Sequence, residues 1–230
     1  MARLPRLALA GQAHLVSLYG HSGQPVFVDD EDRRAFLAAL RESALQHQVA
    51  VQAYVLLDNH VHLLAMPRTA AGLGALMQGL GRRYGAAFNR RHQRQGSLWA
   101  GRYRATVLQA GPLLLEAMLF IDGHGQRSGL GSDAQDHRWS SARHHLGLWR
   151  DPLITEGPAW WALGNTPFDR EAAYRQRLAD GLPRARALAL ADAVRKGWAL
   201  GDAGYVASLQ QQTERPLRPR PRGRPRKLPA

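Results

Sequence analysis

The sequence predicts an α+β fold: a split βαβ sheet with helices on one face, followed by a small helical unit and a basic tail. Three observations carry this. Short β-branched or alternating apolar runs and amphipathic stretches follow one another in the order β-α-β-β-α-β-α over residues 12–121. Beyond residue 150 the chain changes to Ala/Leu/Arg stretches of helical period, and beyond Arg215 it alternates Arg and Pro.

The elements follow in order. Gln12 to Tyr19 alternates and reads as a strand, closed by the loop His21-Ser22-Gly23-Gln24-Pro25. Asp29 and Asp30 can cap a helix starting near Glu31, with Phe36, Leu37, Leu40 and Leu45 on its apolar stripe. Val49–Leu57 and His60–Met66, joined by Asp58-Asn59, form a hairpin. Leu73, Leu76, Met77, Leu80, Tyr84 and Phe88 mark a second amphipathic helix whose other face carries Arg82, Arg83, Arg90 and Arg91. Gly96 ends it, Ser97–Leu108 reads as the fourth strand, and Leu113–Ile121 as a short apolar helix fading into Gly123-His124-Gly125, poor helix material. This order is that of a ferredoxin-like sheet. The domain reading is 1–130 for the sheet unit, 131–149 for a linker, 150–212 for a helical accessory unit with stretches at 169–180, 184–196 and 202–212, and 213–230 for a tail unable to build a core.

Charge narrows the function. With 31 Lys+Arg against 18 Asp+Glu, the chain carries a formal net charge of +13, so polyanions are the expected partners and nucleic acid the commonest of them. The absence of cysteine excludes disulfide frameworks, thiol nucleophiles and Cys-based zinc sites. No run approaches the ~18 apolar residues of a membrane span, and the expected location is cytoplasmic, on the nucleoid. Ser140-Ser141 lacks the glycines of a nucleophile elbow, and no P-loop is present.

Three groups of residues could carry chemistry. His60 and His62, two apart on a strand, point to one face and can share a divalent ion, leaving positions open for a phosphate oxygen. His124 stands at i+4 from Phe120; if the helical turn persists the two share a face and His124 becomes a third ligand. Alternatively it is a loop histidine between two glycines. The second group interleaves Arg82, Arg83, Arg90 and Arg91 with aromatics and continues through Trp99, Arg102, Tyr103 and Arg104; guanidinium groups hold phosphates and aromatic faces stack on unpaired bases. Trp99, Arg102 and Tyr103, after the glycine break, are the expected stacking and phosphate contacts. The third is the tail: Arg222, Gly223, Arg224, Pro225 and Arg226 resemble an AT-hook, an extended segment suited to the minor groove of A·T-rich duplex, or serve as a general polyanion binder.

These segments together resemble the REP-associated tyrosine transposases, a branch of the HUH single-strand transposases. The resemblance rests on Gly20-His21-Ser22 through Val26-Phe27, Tyr54 through Asn59-His60-Val61-His62, Arg83-Tyr84 through Phe88-Asn89-Arg90-Arg91, and Gly96-Ser97-Leu98-Trp99 through Gly101-Arg102-Tyr103. It implies Mg²⁺ or Mn²⁺ held by His60, His62 and His124, a hairpin-flanked single-stranded DNA substrate, and a helix tyrosine that attacks the scissile phosphate to leave a 5′-phosphotyrosine and a free 3′-OH. The tyrosine position departs from the family: Phe120-Ile121-Asp122-Gly123-His124 stands where Tyr-Ile-x-x-Asn is usual. Two readings follow, a nicking and rejoining transposase with Tyr103 or Tyr84 substituting for Phe120, or a catalytically silent DNA-binding regulator. A basic RNA-binding protein is the more distant alternative. Either of the first two works as a monomer or homodimer.

Overall fold

A computed structural model describes residues 6–218. Strands β1 (Ala13–Tyr19), β2 (Val49–Leu57), β3 (His60–Pro67) and β4 (Arg104–Leu108) form an antiparallel sheet in the order β2-β3-β1-β4. Helix α1 (Asp30–Gln46) connects β1 to β2, and α2 (Gly72–Arg91) connects β3 to β4. This is the split βαβ arrangement that the order of elements predicts.

Alternation assigns each strand residue to one of two cores. Val16 and Leu18 of β1 and Val61, Leu63 and Ala65 of β3 face α1 and α2, meeting Phe36, Leu40, Leu76, Leu80, Tyr84 and Phe88. Leu15, Ala53, Val55 and Leu64 face the other way, onto α3 (Pro112–Asp122) and, among later helices, α6 (Pro158–Trp161), α7 (Pro167–Asp180) and α8 (Arg184–Lys196). The expectation of helices on one face therefore needs correction: α1 and α2 cover one face and α3 with the C-terminal helices covers the second. Burial on both sides explains why β2 is apolar along almost its whole length.

Local chemistry sets the helix ends. Asp29 caps α1, its side chain accepting from the backbone N–H of Glu31 and Asp32. Arg91, at the end of α2, reaches across to this cap and donates to Asp29, Glu31 and Asp32 at 2.6–2.9 Å. The Arg91 hydrogen bonds, together with two backbone N–H donors, hold the Asp29 carboxyl well below the usual carboxylate range. Leu45, expected in the α1 stripe, is exposed.

Four further expectations are corrected. The fourth strand begins only at Arg104; Ser97–Tyr103 is a loop tied to β1 through a single bridge, Gly20 to Trp99. Residues 131–149 are no loose linker. Leu56 N–H donates to Trp139 O and Ser141 N–H to Tyr54 O, so the segment lies along the free edge of β2, and α5 (Ala142–His145) packs beneath it. Residues 213–218 belong to the folded body: Leu217 is buried with Leu7, Val107, Val206 and Leu209 beside α9 (Ala203–Gln210). Leu200 pairs with Leu108 and so occupies the β4 edge. The C-terminal helices share a core with the sheet and are not a separate unit.

One buried polar knot joins these parts. Asp122, fully buried at the last turn of α3, accepts from Ser141 Oγ (2.5 Å) and Tyr174 Oη (2.7 Å) and meets His145 Nδ1 at 2.6 Å. A buried carboxylate survives only when its lone pairs are used, and here Ser141 and His145 at α5 and Tyr174 of α7 supply the donors. Asp122→Ala is expected to cost about 3–5 kcal/mol and Tyr174→Phe about 1–2 kcal/mol, with both differences read from urea unfolding curves.

Candidate metal centre and DNA-facing surface

The repeat of β3 places His60 and His62 on the α3 face of the sheet, opposite α1 and α2. Gly123 keeps a near-helical conformation (φ −80°, ψ 3°), and a further turn, α4 (His124–Arg127), continues from α3. The glycines that read as poor helix material are needed for packing. A Cβ on Gly125 would lie 2.6 Å from His137, and one on Gly123 2.8 Å from Arg127. The turn persists, and Phe120 and His124 share a face directly over the β3 histidines.

The three imidazoles converge. One ring nitrogen from each of His60, His62 and His124 lies within 4.8 Å of the others, and His60 Nε2 is 3.3 Å from His124 Nε2. That spacing suits two nitrogens bound to one ion at ~2.1 Å. The outer nitrogens orient the rings: His60 Nδ1–H donates to Asn59 Oδ1 (2.7 Å) and His62 Nδ1 meets Ser17 Oγ at 2.6 Å, leaving Nε2 of each toward the cluster. His124 Nδ1 is buried without a partner among the described residues. Burial, reinforced by mutual repulsion, pushes the His62 pKa well below its ordinary value and that of His124 down to about 3; burial lowers His60 as well. Neutral imidazoles with inward lone pairs are the form that binds a cation.

Phe120 fills the position beside them. Its ring centroid is 5.5 Å from that of His62 and 5.6 Å from that of His124, and the Arg127 guanidinium lies 5.1 Å from its centre. Arg127 also donates to the Phe120 carbonyl. No oxygen reaches the cluster from this side chain. Tyr84 and Tyr103 do not replace it: both are buried in the core on the opposite face of the sheet, and Tyr84 Oη donates to Val26 O. The tyrosine that does adjoin the cluster is Tyr19. It pairs with His60 across β1 and β3, its ring stacks on that imidazole at 5.4 Å, and it is 37% exposed. The alternation of β1 could have pointed to it, since Tyr19 shares the parity of Ser17, but the register with β3 could not be read from the sequence.

The expected DNA contacts divide. Trp99 and Tyr103, expected to offer rings to bases, are buried instead. Trp99 lies against Gly81 and Gly85 of α2 and its Nε1–H donates to Gly81 O, while Arg6 stacks over Tyr103. Arg91 is committed to the α1 cap and Arg83 pairs with Glu42. Arg82 and Arg90 are exposed, but α2 lies across the sheet from the histidines. Arg102 and Arg104 are exposed, and Arg104 shares the histidine face: Ser17 pairs with His62 on one side and with Arg104 on the other. Arg222, Gly223, Arg224, Pro225 and Arg226 lie outside the described residues. No helix among the described residues is long and apolar enough to cross a membrane.

The burial of several histidines makes stability depend on pH. His14, its Nδ1–H donating to Gln12 O and its Nε2 accepting from Leu9 N–H, is held neutral and pushed down to about 4; His144 is likewise lowered to about 4 by burial. A histidine with a depressed folded pKa binds more protons when unfolded, so its contribution is complete above ~6.5 and is lost as pH falls toward the folded value. Melting temperature is expected to fall from pH 7 to pH 4, and His14→Gln to shallow that slope. Gly125→Ala is expected to destabilise the protein, since the new methyl strikes His137, and to loosen His124; thermal melts with and without Mn²⁺ check both effects.

Comparison with known proteins bears on the fold. The family model described as "Transposase IS200 like" matches residues 11–114. A solved structure of a REP-associated tyrosine transposase bound to a REP hairpin superposes with a TM-score of 0.55 and 13% identity, over 69% of this chain and 93% of that one. A candidate transposase from Deinococcus radiodurans is 22% identical over 48% of this chain and 88% of its own, with a TM-score of 0.35. No curated protein sequence matches the chain. The fold is similar to that of the REP-associated tyrosine transposase, and residues 11–114 match the model of the IS200-like transposase family.

Proposed function

We propose that the protein binds hairpin-flanked single-stranded DNA over the His60/His62/His124 face and holds it there with a bound divalent ion, without the phosphotyrosine step of its relatives. The observation that carries this is Phe120, whose ring occupies the place beside His62 and His124 from which a tyrosine would attack. The chemistry of the donor set supports a metal, since three neutral imidazoles each bring one ring nitrogen toward a single point. Of the two ions expected, imidazole donors suit Mn²⁺ better than Mg²⁺, which prefers oxygen ligands and retains its water. When bound, such an ion would polarise a phosphodiester oxygen and screen its charge. The chain's own residues do the rest. Ser17 and Asn59 orient the histidines, and Arg104 and Arg127 add positive charge beside the cluster. The Arg222–Arg226 run supplies a further contact for A·T-rich duplex or for any polyanion.

Tyr19 favours a second reading. It is half-exposed and stacked on His60, so its hydroxyl could take the nucleophile's part. The phenol oxygen would bond to phosphorus as the P–O3′ bond breaks, and the departing 3′ oxygen would gain a proton.

A denaturing gel with labelled hairpin DNA and Mn²⁺ separates the two. The wild type is expected to form no covalent adduct and Phe120→Tyr to gain one. A wild-type adduct that disappears in Tyr19→Phe would replace the first reading with the second. His62→Ala is expected to weaken Mn²⁺ binding at least 10-fold by calorimetry, the order of effect of a lost metal ligand or its support.

A further inference from the structure

We propose that a second, separate phosphate site lies at the β4 edge, a pocket centred on Arg215 that holds a backbone phosphate of the same DNA strand; this rests on the DNA-binding reading above. The pocket, about 420 Å³, is lined by Arg6, Arg102, Arg104, Arg195, Lys196 and Arg215, and no acidic residue lines it. Asp192 neutralises part of this charge from outside, pairing with Arg195 and Lys196 at 2.7 Å each.

Arg215 makes this more than a basic surface. The residue is 8% exposed, and its Nη2 donates to Gly197 O at 2.5 Å, closing the C-terminal end of α8. Its Nε and Nη1 are buried with no partner among the described residues. A guanidinium removed from water keeps its charge, and burial here lowers its pKa only from the ordinary arginine value. Donors left idle in that setting are unfavourable, and a tetrahedral oxyanion is the ligand whose acceptors and charge satisfy them.

Position ties the pocket to the histidine face. Arg104 lines it and also stands in the cross-strand row His62–Ser17–Arg104, with its guanidinium 5.6 Å from the ring centre of Tyr19, which stacks on His60. Two interstrand steps, roughly 10 Å, separate the Cα positions of His62 and Arg104. A strand leaving the histidines across β1 and β4 therefore meets Arg104 first and Arg215 next. The phosphate group is the shared chemistry. Its source is a phosphodiester of single-stranded DNA, because the track begins where the scissile strand would lie.

The test uses the full chain in EDTA, which removes any metal contribution. Anisotropy of a labelled hairpin with a single-stranded flank is measured across a salt series for the wild type, Arg215→Gln, Arg102→Gln and a control, Arg41→Gln on exposed α1. Each lost phosphate contact lowers the slope of log K against log salt by about 0.7 for single strands. A drop of that size in Arg215→Gln and Arg102→Gln, with Arg41→Gln unchanged, is the expected result. Arg102 is exposed and its replacement cannot unfold the core, so it keeps the test sound if Arg215→Gln folds poorly. Wild-type binding with unchanged slopes in both pocket variants overturns the site. If the wild type binds no DNA, the reading of the protein as a DNA binder fails by itself, and pyrophosphate then decides the pocket. Thermal stabilisation by pyrophosphate that is absent in Arg215→Gln and Arg102→Gln sustains a phosphate pocket while overturning its assignment to DNA, and no stabilisation overturns both.

Discussion

The two-residue repeat of β3 is the constraint on which the rest of the molecule depends. One set of side chains, Val61, Leu63 and Ala65, anchors α1 and α2, and the other, His60 and His62, is delivered to the opposite face. A one-residue slip in register would exchange the two sets, putting the imidazoles in the α1/α2 core and aliphatic side chains in the place of the site. Pairing of β3 with both β1 and β2 therefore secures the packing and the site together.

The second half of the site comes from the chain beyond the sheet. His124 is useful only if α3 and α4 are held at a set height over β3. Asp122 fixes that height by gathering Ser141, His145 and Tyr174 from segments well separated in sequence. The constellation contains a serine, a histidine and an aspartate, as a hydrolase would, yet Ser141, His145 and Tyr174 are at most 1% exposed. No substrate reaches them, and their chemistry is that of a joint. The C-terminal helices thus brace the turn that carries His124.

How much of this could be read beforehand depended on the range of the interaction. The period of α2 marks Leu73, Leu76, Leu80, Tyr84 and Phe88 as buried, and they are. The spacing of His60 and His62 requires only a strand, and the strand is there. Long-range packing was not legible. Gly123 and Gly125 weaken a helix by intrinsic propensity, but here they make room for Arg127 and His137. Trp99 and Tyr103 follow a glycine break, which suggested exposure, and α2 happens to present Gly81 and Gly85 for Trp99 to cover. Arg215 opens an Arg/Pro stretch that cannot build a core, yet Leu217 two residues later docks on β4 and carries it inward.

The covered margins of the sheet have a consequence for assembly. The β2 side is occupied by the backbone of Trp139 and Ser141 and the β4 side by Leu200. Cover of this kind leaves a shorter open ladder to a foreign strand and disfavours edge-to-edge growth. Two copies meeting through side-chain surfaces would bring together a chain that is predominantly cationic and self-repelling. A polyanion lying between them would remove that repulsion.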